Sequence, residues 1–568
     1  MSIQSNFPNL KPSLLLDFAN TKQLDNRVTF TRSAPATYYD GKTTAKAEQN
    51  TVLYSQDISN GYWTKYQVSL SSATAPDGTS TASTLTEAAT NNNHAIWTTA
   101  GPIVTTTNTS HTFSVYAKAG TCSSFAIQIY RTGASFFIDF DLSTVASSIR
   151  SGSGTSSITA VGGGWYRCSA TSSALGSNTW QFEAYMTPSY IGASGYLGTG
   201  RTLSLWGAQA EQRNAVTAYN ATTSQPITKY IPQLLTAGNN QPRFDHNPTT
   251  GESLGLLIEE QRTNLLYPSN LYGDSLNYEA IYTKTNSSTD VTAPDGSQLT
   301  TKIVSGTTGN TWYWLQTPGG TFATSTTYTT SVWLRCATGT TATWFLHAYP
   351  YGSGATCNVT DQWQRFSNTF TTDGSGTQPY MGLVSPSLSR TFYVWGWQAE
   401  AGSLATSYIT TTSASATRTA DSASMTGTNF SSWFNAAEGT FYSEGKLTSS
   451  SRYFNVYKSG TNHQIEGIQN ASNQFNSFVY DGEVQADTNV SATSGVNHRV
   501  STAYQTNNFA GSADGSINTD SAGVLPIGLN ILNINSYLTS GPLGSGTIKK
   551  IAYYPIRLSN TNLQALTA

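Results

Sequence analysis

The stretch TVLYSQDISNGYWTKYQVSLSSATAPDGTSTASTL (51–85) has a counterpart in TNLLYPSNLYGDSLNYEAIYTKTNSSTDVTAPDGSQLTTKI (263–303). Each runs from a short segment ending in Leu-Tyr, through an aromatic loop, to Ala-Pro-Asp-Gly and a Thr-rich segment. Three further anchors follow in the same order. HTFSVYAKAG (111–120) matches YTTSVWLRCATG (328–339), GGWYRCSAT (163–171) matches DQWQRFSNT (361–369), and TLSLWGAQAEQ (202–212) matches TFYVWGWQAEAG (391–402). Collinear matches separated by loops of varying length are the mark of a tandem duplication.

Alternation makes these segments strands. Phe113, Val115, Ala117 and Ala119 fall on one face, Tyr116 and Lys118 on the other. In the second copy Val332, Leu334 and Cys336 oppose Trp333 and Arg335. Cys336 aligns with Ala119 and Cys168 with Phe366, so these thiols behave as small core residues. With Cys122 and Cys357 they make four cysteines without CxxC or zinc spacing, and buried free thiols are expected. Pro and Asp-Gly suit a tight turn. Helical periodicity is missing from both copies, so each reads as a two-sheet jelly roll.

The expected fold is all-β: two tandem jelly-roll β-sandwich modules, then a concanavalin A-like β-sandwich, with an extended N-terminal segment. The boundaries read as a lead-in or attachment segment (1–50), jelly roll 1 (51–218), linker and β-hairpin (219–263), jelly roll 2 (264–412), a Ser/Thr/Ala-rich linker (413–430) and the last sandwich (431–568). The hairpin is QPRFDHNPTTGESLGLLIEEQRTNLL (241–266), read as leading into module two. The end, NTNLQALTA, reads as a short helix.

Charged residues are 11% of the 568, against about 25% in a typical soluble domain. The 29 basic and 31 acidic residues give a net charge of −2 without a basic stripe. Neither nucleic acid nor an anionic membrane is an expected partner. The start, MSIQSNFPNLKPSLLLDF, does not read as a secretory signal, and no stretch approaches the roughly twenty apolar residues of a membrane span.

Several of these segments resemble a known group. SLLLDFANTKQLDNRVTFTRSAPATYYDGK (13–42) and PRFDHNPTTGESLGLLIEEQRTNLL (242–266) are similar to segments that recur in tail-fibre, appendage and other structural proteins of tailed bacteriophages. The modules look like carbohydrate-binding-module jelly rolls. The part from GTFYSEG to NTNLQAL looks like a concanavalin A-like (laminin G-like) domain. Here the PRFDH hairpin stands before the second module only, and the usual podovirus tail-fibre anchor is not seen.

The resemblance implies a virion protein, made in the host cytoplasm without a signal peptide and carried on the tail or head exterior. Its expected role is a tail fibre or appendage binding host surface polysaccharide. The alternative is a head fibre, capsid decoration or neck protein whose modules contact other virion proteins. A homotrimer is expected from the resemblance alone.

Sugars stack on aromatic rings and bond to polar side chains. The candidate carbohydrate contacts are Tyr116, Lys118, Trp97 and Trp180 in module one, and Trp333, Arg335, Trp312, Trp314 and Trp344 in module two. The competing reading is that these rings pack in the core. Asp77, Asp295, Glu211 and Glu400 are repeated acidic positions that could hold a structural calcium, against a plain role in turns. Glu259 and Glu260 are adjacent on a strand and point to opposite faces. No carboxylate pair or triad supports catalysis, so the protein is not expected to be an enzyme.

Overall fold

The computed structural model describes residues 11–99, 103–105, 109–175, 178–192, 195–270, 282–306, 311–316, 321–385, 389–539 and 541–568. It is built almost wholly of antiparallel strands, as the alternation requires. The chain divides into two compact units. One gathers the chain up to Thr43, Pro232–Lys284 and Ile303–Ala568; the other gathers Thr44–Ile231 and Thr285–Lys302.

Module one is a two-sheet sandwich. Strand Thr109–Ala119 lies between Trp165–Leu175 and Thr202–Glu211 in one sheet. Strand Ser124–Arg131 lies between Ala134–Asp141 and Asn178–Met186 in the other. Phe113, Val115 and Ala117 join Ile127, Ile129, Ile138 and Phe182 in the core between them. Module two repeats the scheme. Thr327–Cys336 lies between Thr391–Ala401 and Gln364–Thr371, and Ala342–Tyr349 lies between Tyr351–Val359 and Tyr380–Ser385. Val332, Leu334 and Cys336 enter its core. All four cysteines are buried and unpaired.

The two TAPDG turns share their backbone bonds and their Asp cap. Ala75 N–H donates to Thr79 O at 2.8 Å, and Ala293 N–H to Ser297 O at 2.8 Å. Asp77 Oδ1 accepts from Thr79 N and Asp295 Oδ1 from Ser297 N, both at 2.9 Å. Gly78 and Gly296 take φ of 85° and 86°, the left-handed region where glycine has no Cβ penalty.

The last sandwich is where the structure departs from the boundaries expected. It is assembled from three distant pieces of chain. Strand Leu14–Leu16 pairs with Gly546–Tyr554, Leu14 opposite Tyr553. Further along that same strand, Ser253–Ile258 of the hairpin pairs, Leu256 opposite Ile548. In the opposing seven-stranded sheet Thr29–Thr31 pairs with Ser422–Thr426, Phe30 opposite Ala423. Leu14, Leu16, Phe18, Phe30, Leu256 and Ile258 share one core with Phe441, Phe454, Val500 and Ile551.

Residues 11–31 are therefore part of the last sandwich rather than a lead-in to module one. The 241–258 hairpin is likewise an edge of that sandwich, where the sequence suggested an entry to module two. Short apolar segments such as LLL and TFT announce strands; the partner strand hundreds of residues away is set by the core, which no local pattern encodes. The helix Asn560–Thr567 forms as expected, its Ser559 side chain capping Asn562 N–H. Its Leu563 and Leu566 pack on Tyr442, Ala503 and Ala510, outside the eight-stranded sheet.

Two-stranded ribbons mark where each module leaves and rejoins the chain. Ala36–Tyr38 pairs with Leu235–Ala237, and Thr44–Asn50 with Ile227–Pro232, around module one. Arg262–Asn264 pairs with Ala416–Arg418 around module two. In chain order both jelly rolls are excursions from the discontinuous sandwich.

Candidate functional site

The repeat conserves a buried hub, and several residues read as sugar contacts belong to it. At the Trp-Gly of each WG motif the register slips by a bulge, opposite Ser114–Tyr116 in one copy and Ser331–Trp333 in the other. Gly207 and Gly396 adopt φ of 64° and 69° there, and a Cβ on Gly396 would lie 2.6 Å from the Trp333 ring. The bulge re-aims the strand so that three rings meet. Tyr116, Trp206 and Tyr219 lie 4.7–5.8 Å apart by centroid. Trp333, Trp395 and Tyr408 lie 4.8–5.4 Å apart.

An arginine closes each trio. Arg167 stands 5.3 Å over Tyr116, and Arg365 stands 4.4 Å over Trp333. Arg167 donates to Thr217 O and Ser114 Oγ; Arg365 donates to Thr406 O and Ser331 Oγ. The face opposite the core is thus a second packing layer. Trp333 and Arg335 are 4% and 3% exposed, and Trp180 and Trp344 are 3% and 0% exposed. These four are corrected from contact residues to packing residues. Tyr116 is half-buried beneath Arg167, while Lys118 is exposed.

Glu211 and Glu400 are buried brackets within the same hub. Glu211 accepts from Thr217 N and Oγ1, Glu400 from Thr406 N and Oγ1. Burial pushes the Glu211 carboxyl above its usual range. Asp77 and Asp295 cap their own turns. Among the described residues no group of three His, Cys, Asp or Glu side chains comes together to hold a metal.

A half-buried aromatic surface of module one lies on the outer side of its other sheet. Along Asn178–Met186, Phe182, Ala184 and Met186 enter the core, so Gln181, Glu183 and Tyr185 face outward. Directly opposed residues share a face. Trp97, Glu183, Gln128 and Phe137 therefore form one row across four strands. Tyr66, Ala95, Tyr185, Ala126 and Asp139 form the next.

On this face Trp97 and Tyr66 are half-buried and packed 5.5 Å apart, and Asn92 holds the Tyr66 hydroxyl at 3.0 Å. Tyr185 stands edge-on to Phe137 at 5.9 Å and donates its hydroxyl to Glu183 at 2.5 Å. Arg150 lies 4.3 Å over Phe137 and forks onto Asp139 through Nε and Nη2. Burial raises the Glu183 carboxyl, against the pull of the Tyr185 hydroxyl. The result is three half-buried rings, Trp97, Tyr66 and Tyr185, with half-buried Gln128 and Gln181 beside them and with Phe137, Asp139 and Glu183 buried beneath. Of the sequence candidates only Trp97 is there. Tyr66, Gln128, Gln181, Glu183 and Tyr185 were missed, although QFEAYM (181–186) alternates polar and apolar residues. The side chains of Trp312 and Trp314 in module two lie outside the described residues.

A third cluster roots module two in the discontinuous sandwich. Arg32, Arg243 and Arg418 are all but fully buried. Asp421 pairs with Arg32 at 3.0 Å and Arg243 at 2.6 Å; Glu259 pairs with Arg243 at 2.8 Å and with Arg418. The PRFDH motif also clamps the Ala36–Tyr38 segment. Arg243 donates to Thr37 O, Asp245 accepts from Tyr39 N–H, and His246 Nδ1 meets Tyr39 O. Glu260 instead turns to Arg262. A network so enclosed offers no surface to a ligand.

No protein-family profile matches the chain, and no curated protein matches it. Solved structures do align with it. The tandem CBM22-1–CBM22-2 domains of Paenibacillus barcinonensis Xyn10C align over 64% of this chain and 100% of theirs, at 9% identity and a TM-score of 0.19. Domains LG4-5 of the mouse laminin alpha1 chain align over 52% and 96%, at 9% and 0.17. The LG1-3 region of the laminin alpha2 chain aligns over 82% and 97%, at 9% and 0.15.

Proposed function

We propose that this chain is a glycan-binding adhesin, displayed on a bacteriophage particle as a tail fibre or related appendage. The observation that carries the glycan reading is the outer face of module one. Half-exposed Trp97, Tyr66 and Tyr185 offer ring surfaces for sugar C–H faces. Half-buried Gln128 and Gln181 offer acceptors and donors for hydroxyls, with Glu183 buried behind them. The virion assignment rests on the likeness of the 13–42 and 242–266 segments to phage structural proteins, and so do the exterior location, contacts with other virion proteins and a trimeric assembly.

Binding without hydrolysis is the reading for this face. Asp139 and Glu183 are buried and held by Arg150 and Tyr185, so neither stands at the surface where a glycosidic bond would lie. Screening the full chain on a glycan array tests the proposal. Retention of a defined set of glycans is expected, and an array with nothing above background contradicts it. Imaging of labelled particles distinguishes tail from head placement.

A further inference from the structure

The seven-stranded sheet of the discontinuous sandwich also has an outer face, and it is built unlike an ordinary solvated sheet surface. Ile465, Phe475, Val479, Ala486 and Val490 point into the core, so their alternating neighbours point out. Asn455, Glu466, Phe478 and Asp487 stand opposite one another across four strands, and Asn476 stands opposite Asn489 in the adjoining row.

Part of this face is roofed. Asn455 Oδ1 accepts from Leu538 N–H, and Arg452 stacks 4.3 Å from Tyr537 while bonding Glu466 at 3.0 Å. Asn455 and Glu466 are 0% and 2% exposed under that cover. Beside it the sheet stays open. Phe478 and Tyr480 are half-buried and stacked, 6.2 Å between centroids and 18° between planes. Asp487 is exposed. Its Oδ1 accepts from both Asn476 and Asn489, and no described residue donates to its Oδ2. Asn476 also donates to Asn489 Oδ1 at 2.9 Å.

We infer that this open part is a second carbohydrate site, taking a neutral hexose or N-acetylhexosamine unit. The Phe478/Tyr480 pair is the platform for the sugar's C–H face. Asp487, oriented through one oxygen by two amides, accepts from a pair of vicinal hydroxyls with the other. Side chains held by one another in advance lose little conformational entropy on binding. The Tyr537 segment forms a step that limits how far a glycan chain extends across the sheet. The inference rests on the reading of this chain as a glycan binder, but on a different set of residues.

The test uses the full chain with three variants: Trp97→Ala, Trp97→Ala/Asp487→Ala and Trp97→Ala/Phe478→Ala. Saturation-transfer NMR with glucose, galactose and N-acetylglucosamine oligomers reads binding, and thermal unfolding checks the fold. Trp97→Ala is expected to keep binding at least one oligomer, and either second substitution to weaken it at least tenfold. Asp487 is exposed, so its variant remains informative if Phe478→Ala unfolds. Loss of all binding with Trp97→Ala alone overturns the second site and leaves the module-one reading standing. Unchanged binding in both double variants overturns it too. If Trp97→Ala has no effect and the Asp487 change removes all binding, the module-one reading fails and this site stands. A wild type that binds no oligomer sinks both.

Discussion

Glu259 and Asp245 sit in one hairpin and respond to acid in opposite senses. Burial alone would raise the Glu259 carboxyl, but the Arg418 and Arg243 guanidiniums outweigh it and hold it at about 2. Between there and the unfolded value of about 4.3, the unfolded chain binds more protons. Glu259 thus contributes stability that is complete above that value and is lost as pH falls toward 2. Burial pushes Asp245 up to about 6, against hydrogen bonds from the Tyr39 and His246 amides. Between about 3.9 and 6 the folded chain binds more protons, so its contribution falls as pH rises through that window. Denaturant titrations at stepped pH should show Asp245→Asn removing a decline between pH 4 and 6; an unchanged profile refutes the assignment. Glu259→Gln strands buried guanidiniums and should cost about 3–5 kcal/mol at neutral pH. The sequence told that Glu259 and Glu260 point apart. It gave no sign of the Arg32–Asp421 pairing, because partners 389 residues apart are joined only by the fold.

At the scale of elements, the duplicated WG strand carries its own test. Gly396→Ala places a Cβ against Trp333 at a left-handed φ, so about 1–3 kcal/mol of stability should be lost. At Gly207 the nearest atom would be 3.0 Å away, in the smaller Tyr116 ring, and the same change should cost less. Equal costs in thermal unfolding would contradict the packing account of the hub. The strands, the turns and the core face were legible because alternation and Asp-Gly chemistry are local. The bulge was not, and without it Trp333 reads as an outward ring. The same ring trio, arginine and glycine bulge in both copies mark the hub as packing. The repeated pairs Tyr116/Lys118 and Trp333/Arg335 draw the sequence reading to the hub side of the sheet, and only Trp97 points to the other face.

For the whole molecule, the three-piece sandwich makes a strong claim about autonomy. A fragment of residues 431–568 lacks Leu14, Leu16, Phe30, Leu256 and Ile258 from its core and two strand segments beside Gly546–Tyr554. It should fail to give cooperative unfolding. A chain in which a short turn replaces 44–231 keeps the Ala36–Tyr38 and Leu235–Ala237 ribbon but strips 285–302 of its packing unit; the sandwich itself should still unfold cooperatively. A cooperative 431–568 fragment would show that the distant pieces are ornaments. Trp97 lies outside the core cluster of module one, so its ring can be truncated without opening that core. Titrating an array-selected glycan into the full-length chain, with Trp97→Ala and Trp333→Ala each made in an Asp487→Ala background that removes the second site, is the most direct test of the outer face of module one as the binding surface. The account predicts at least a tenfold loss of affinity with unchanged unfolding for Trp97→Ala. For Trp333→Ala it predicts about 3–5 kcal/mol lost stability with affinity retained wherever the chain stays folded. Undiminished affinity on adding Trp97→Ala, or loss of binding in folded Trp333→Ala, would contradict it.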